Sequence, residues 1–311
     1  MARTDPEGDI DDREPLVSAP ADRLGLDERD REERPSPAGS GGDMKATSSH
    51  GTPGEAFFGI ACVDTVKRGQ KLPSFKRVES FLQQFGYLDH GEYVCRGVLG
   101  DDVSSALASY QEQHALRVTG EFDEATRDQM TTARCAMRDV PRFEKACPWD
   151  RTDLTYAFDS GTVDIQGDGE WGGVRSAFET WEIHTPLTFF EVHPTDGPDI
   201  MVGWRPTMDP DFNMTGSKVA HADFPPKCEL LSPGLPQPLH FDNGEQFWAI
   251  GAEPGAHDVE SVALHEIGHL IGLEHSTDPN AVMFSSLSSN TLRRHLTQDD
   301  LTGALDLYPP S

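Results

Sequence analysis

The eleven residues HEIGHLIGLEH, from His265 to His275, constrain this chain more than any other stretch of it. His265 and His269 stand four apart, so on a helix they project from one face. Asp258, in DVESVALHEIGHLIGLEH, is suited to cap the first turn of that helix. Gly272 stops it where a left-handed backbone costs nothing, and the turn that follows brings His275 round.

Three imidazoles at this spacing point to a metal. Zinc takes neutral imidazole nitrogens in tetrahedral geometry, and a catalytic site keeps its fourth position open for water. Glu266 follows the first histidine and is placed to take a proton from that water, so it reads as a general base rather than a fourth ligand. Met283, in STDPNAVMF, reads as a soft apolar base beneath the imidazoles. The plain alternatives are a helix with solvent-facing histidines and, for Met283, ordinary core packing.

A chain of 311 residues has room for about two domains. Residues 1–55 are acidic and rich in Pro, Ser and Gly, a composition that does not bury enough apolar surface to fold, so this tail is expected to be disordered. It lacks the basic and apolar regions of a secretory signal. Apolar residues then recur at helical spacing in FKRVESFLQQFGYL and DDVSSALASYQEQHAL, and DEATRDQM reads as a third short helix capped by Asp123. Residues 56–132 therefore form a small three-helix module, and 133–147 a connector.

From 148 to 311 strands and helices alternate around one sheet. LTYAF, LTFFEV, DIMVGW, SKVAHADFP and LHFD read as strands, and WGGVRSAFETWEIH, the histidine helix and LTQDDLTGALDLY as helices. Thr297 and Asp300 stand at capping-box spacing. This is an α+β domain with a mixed sheet and three helices. The formal net charge of −27 excludes nucleic acid as a partner, and no apolar run is long enough to span a membrane.

The helix and its turn resemble those of the metzincins, and specifically the matrix metalloproteinases, or matrixins. The resemblance extends over residues 73–309. SKVAHADFP is similar to that family's substrate-holding edge strand, LHFDNGEQFW to its metal-binding segment, and YQEQHALRVTGEFDEAT to its peptidoglycan-binding-like propeptide. No segment of this sequence resembles a hemopexin domain. The resemblance implies a zincin-like fold, a monomer cleaving protein or peptide substrates before an apolar residue, secretion, and an activating protease.

It also implies latency. ARCAMRDV resembles the family's cysteine-switch motif, with Cys135 filling the open zinc position and Arg134 paired to Asp139. The motif's Pro, Gly and second Pro stand here as Ala133, Ala136 and Arg138. Ala136 would be strained if that position needed a positive φ. His221 and His240 would hold a structural zinc, whose upstream histidine is missing from GWRPTMDPDFNMTG and for which Asp209 or Asp211 could supply an oxygen. Asp242, Glu245 and Asp211 would hold calcium. Their alternatives are surface histidines and a solvated acidic face.

With Cys135 on zinc, four of the five cysteines remain. Pairing Cys62 with Cys95 and Cys147 with Cys228 keeps each bridge within one fragment after a cut near 140–147. The other two pairings, and free thiols, stay open. A binding protein acting on cell-wall glycan through the helical module, and a zinc-binding pseudoenzyme, are the competing functions.

Overall fold

The computed structural model describes residues 58–89, 95–140, 147–226, 228 and 234–310. The acidic tail lies outside them. Seven α-helices occur among these residues. The N-terminal part holds α1 (Phe58–Ala61), α2 (Lys76–Gln84), α3 (Asp101–Gln113) and α4 (Glu124–Met130). The one-turn α1 was not foreseen; the other three are the expected helices. Val78, Phe81, Leu82, Val103, Leu107 and Tyr110 fall on the inward faces read from their spacing and close a separate core with Phe75 and Phe122. Asp123 caps α4 by accepting from Thr126 N at 2.9 Å.

The C-terminal part is built on a sheet of β1 (Asp153–Phe158), β2 (Thr188–Glu191), β3 (Ile200–Arg205), β4 (Ala220–Ala222) and β5 (Gln237–Asp242), in the order β2-β1-β3-β5-β4. All neighbours run parallel except β4, which is antiparallel to β5 and lies at the edge. A two-residue parallel pair, β6 (Trp248–Ala249) and β7 (His257–Asp258), was not visible as a pattern because it is too short to alternate.

Helices α5 (Gly169–His184), α6 (Val259–Leu270) and α7 (Gln298–Leu307) complete this part. Trp181 of α5 is fully buried and donates Nε1–H to Leu264 O of α6 at 2.9 Å. Every residue of α6 except Glu260 is buried, so it is a central helix rather than a surface one. It ends at Leu270, one turn earlier than the apolar run suggested. Gly272 at φ 105° closes a Schellman turn, with Leu273 N donating to Gly268 O and Gly272 N to His269 O, each at 2.8 Å. A side chain on Gly272 would stand 2.9 Å from Cys147 O. Trp149 Nε1 and the Tyr308 hydroxyl satisfy the last carbonyls of the turn, Leu270 O and Ile271 O.

At its other end α6 is held by Asp258. The carboxylate accepts from Ser261 N at 3.0 Å and receives both arms of Arg294, at 2.5 and 2.9 Å. Burial opposes its ionisation, but Arg294 and Ser261 keep the carboxyl below its ordinary value. Asp258→Ala should cost about 3 kcal/mol, and Asp258→Asn less, because the cap survives. A depressed carboxyl contributes stability above its unfolded value near ~4 and loses it as pH falls through the lower folded value. The stability difference between parent and variants, measured by urea melts, should therefore shrink in acid.

One disulfide is formed, Cys147–Cys228. Cys62 and Cys95 are not paired, which corrects half of the expected pairing. Cys62 is exposed on the first turn, whereas the Cys95 thiol faces Gln83 and Ser80 on α2.

Candidate metal centre

α6 and its turn bring three imidazoles to one point. His265 and His269 are fully buried, and the His275 side chain is equally shielded. Their outer nitrogens are already engaged. His265 Nδ1 donates to Val282 O and His269 Nδ1 to Leu273 O, both at 2.7 Å, and His275 Nδ1 to Asp139 Oδ1 at 2.9 Å. These bonds fix the tautomer and aim each Nε2 inward. The Nε2 atoms of His269 and His275 are 3.2 Å apart, and that of His265 is buried without a partner.

Cys135 completes the group. Its Sγ lies 3.4 Å from His269 Nε2, and the four ligand atoms all lie within 4.8 Å of one another. Burial, together with the charges of the neighbouring imidazoles, holds His265 and His269 well below their ordinary values, so both are neutral. Burial, with Glu266 adding to it, pushes the Cys135 thiol well up. Three neutral imidazoles, an orphaned Nε2 and a buried sulfur form a donor set that suits zinc. Glu266 is buried beside it with neither carboxylate oxygen partnered, and burial raises its carboxyl to about 8.

Met283 is buried, 2% exposed. The packing gives Gly268 a role that periodicity did not reveal: a Cβ there would sit 2.2 Å from Met283 Sδ. The available signal was a glycine inside a helix, which costs about 1 kcal/mol against alanine and asks for a packing reason. Asp300 was seen only as a capping-box residue. Its carboxylate also accepts from Val282 N and Met283 N, each at 3.0 Å, so the start of α7 holds the loop whose carbonyl orients His265.

The segment carrying Cys135 is laid between β4 and the chain after Met283. Arg134 N donates to Ser217 O, Val219 N to Arg134 O and Ala136 N to Ala220 O, at 2.7–2.9 Å. On the other side Cys135 N donates to Ser285 O and Leu287 N to Ala133 O. Arg134 pairs with Asp139 at 2.5 Å and lies 3.5 Å over the Phe85 ring of the helical part. Ala136 does not have a positive φ, so the missing glycine brings no backbone strain.

A second group consists of Asp209, His221 and His240. Antiparallel pairing sets His221 directly opposite His240, which is why residues far apart in sequence meet. Asp209 Oδ2 lies 3.0 Å from His221 Nε2 and 2.7 Å from His240 Nδ1. Burial and the neighbouring His221 lower His240 to about 4; hydrogen bonds from the histidines outweigh burial and hold Asp209 at about 2. Two buried imidazole nitrogens facing an ionised carboxylate again suit a metal.

Asp211 belongs beside this group, its Oδ2 lying 3.7 Å from His240 Nδ1. Asp242 keeps one buried oxygen without a partner while the other accepts from Thr207 Oγ1 and Gly244 N, and burial raises its carboxyl to about 6. Glu245 accepts from Gly216 N at 2.8 Å. The orphaned Asp242 oxygen fits a cation.

The fold and this site define a zinc metalloendopeptidase of the metzincin kind. Residues 148–309 match the matrixin family model, and 72–130 match that of a putative peptidoglycan binding domain, so the chain belongs to the matrixin family. It is 31% identical to metalloendoproteinase 1-MMP of Arabidopsis thaliana, over 79% of this chain and 72% of that one. It is likewise 31% identical to matrix metalloproteinase-16 of Homo sapiens and 35% identical to stromelysin-1 of Equus caballus, over 75% and 72% of this chain. It spans 41% and 47% of the lengths of those two relatives.

Proposed function

We propose that the chain is the latent form of an endopeptidase that hydrolyses protein or peptide substrates. His265, His269 and His275 hold a catalytic zinc, Glu266 acts as general base, and Cys135 blocks the fourth position. The observation that carries this reading is the meeting of one sulfur and three imidazoles beside an unpartnered buried carboxylate. A bound zinc supplies Lewis acidity, polarising the scissile carbonyl and acidifying the attacking water. Glu266 takes the proton from that water and delivers it to the leaving amine. The edge of β4 holds an extended substrate backbone by strand addition once residues 133–136 have left it. The segment Ser285–Leu287 walls the pocket for an apolar residue after the scissile bond.

Residues 56–132 serve as propeptide and 133–147 as switch and activation linker. A protease cutting within 141–146 frees a C-terminal fragment that keeps Cys147 and carries residues 148–311 as the catalytic domain. Those six positions lie outside the described residues. The Cys147–Cys228 bridge supports export to an oxidising compartment. Among the described residues no helix is long and apolar enough to cross a membrane. Treating the cleaved chain with a strong chelator should abolish peptide hydrolysis, and zinc alone should restore it. Activity that survives complete metal removal, checked by elemental analysis, refutes the reading.

Asp209, His221 and His240 hold a structural zinc, with Asp211 placed to approach it, and Asp242 with Glu245 holds calcium. Elemental analysis should find two zinc ions per chain. Asp209→Ala should lose one of them and lower the melting temperature, leaving the catalytic ion in place.

A further inference from the structure

Pairing with Arg134 does not account for all that surrounds Asp139. Its side chain has no exposed surface, and groups from across the chain converge on its carboxylate. Oδ1 accepts from Arg134 Nη2 at 2.5 Å and from His275 Nδ1 at 2.9 Å. Oδ2 accepts from the Tyr87 hydroxyl at 2.8 Å and faces His114 Nε2 at 3.5 Å. Asp139 N also donates to Phe85 O, which fixes the residue to the end of α2.

The three imidazoles differ in where their outer partner comes from. His265 and His269 donate to Val282 O and Leu273 O, acceptors that belong to the catalytic part. His275 donates to Asp139, which stands within the linker on the N-terminal side of the proposed cut at 141–146. Its acceptor is also a carboxylate, whereas theirs are carbonyls. An imidazole whose far N–H is held by a carboxylate is a more basic and better oriented metal ligand.

We propose that Asp139 is a positioning residue for the metal ligand His275, supplied by the prosegment and withdrawn on activation. The latent chain therefore holds its catalytic ion more firmly than the activated one by a route separate from the Cys135 sulfur. This rests on the assignment of His275 as a zinc ligand made above.

The test is zinc transfer to a chromophoric chelator from the full-length, zinc-loaded chain. Cys135→Ser is compared with Cys135→Ser/Asp139→Asn, so that the sulfur contributes to neither. Asp139→Asn should accelerate transfer by about tenfold or more. Equal rates overturn the proposal. Undocking of the prosegment would also accelerate transfer, so a second measurement reads the bond itself. In the 15N-labelled parent chain, His275 Nδ1–H should give a downfield, slowly exchanging proton. That signal should vanish once the cleaved prosegment is removed, while those of His265 and His269 persist. Its absence from the intact chain, or its survival after removal, overturns the proposal whatever the variants do. A separate control addresses the reading beneath it: equal zinc retention in His275→Ala and the parent would refute His275 as a ligand.

Discussion

Glu266→Gln should lower kcat/KM of the cleaved chain by about a thousandfold or more without changing its zinc content. The substitution keeps shape and polarity and removes only the ability to take up and return a proton. The site is arranged for that ability to matter. Glu266 is fully buried and both its oxygens lack partners. In the latent chain burial lifts its carboxyl above the ordinary value, with Cys135 opposing. The outer nitrogens of His265 and His269 are held by Val282 O and Leu273 O, so an amide in place of the carboxylate leaves their orientation unchanged. Peptide hydrolysis and zinc content should be measured on the same sample. Turnover within tenfold of the parent, at equal zinc, would remove Glu266 from the reaction.

The second large effect concerns latency. Cys135→Ser should give an uncleaved chain that hydrolyses peptide, with a rate on the order of tenfold or more above the parent, because a serine hydroxyl is a far poorer zinc ligand than a thiolate. The rise should still fall short of the cleaved chain. Residues 133–136 retain their backbone hydrogen bonds to both walls of the cleft, and Arg134 keeps its buried pair with Asp139. The variant therefore separates two blocks, one on the metal and one along the substrate strand. If uncleaved parent and variant are equally silent while cleaved samples of both are active, occupation of the cleft, and not the sulfur, would explain latency.

Much of this site could be read in the sequence because its chemistry is local. His265, Glu266 and His269 share one helix, and a glycine marks the turn to His275, so four functional positions follow from spacing alone. What escaped depends on contacts between distant segments. Gly268 is explained only by Met283 lying against it, and Asp300 only by the loop it holds from the start of α7. The meeting of His221 with His240 came from the resemblance and not from spacing, because it needs the antiparallel register of β4 on β5, which no local pattern sets. Asp211 was offered both to the histidine pair and to the carboxylates, because an acidic loop residue carries no sign of which neighbour it faces; it stands 3.7 Å from His240 Nδ1. Asp139 could be paired with Arg134 by motif, but its bond to His275 requires two parts of the chain to be seen together. The helical module and the α+β domain were legible as separate periodicities; the short α1 and the β6–β7 pair were not.

The placement of the single disulfide has a consequence for what a cut accomplishes. Cys147 and Cys228 both lie beyond the proposed cut at 141–146, and Cys62 and Cys95 do not reach across it. Under the proposed switch, the Cys135 segment of the uncut chain would compete for the cleft as a tethered ligand, at an effective concentration of roughly millimolar or more. After the cut, nothing covalent crosses the break, and the same segment becomes a free inhibitor whose occupancy falls with dilution. Activation is then completed by the volume into which the fragments disperse.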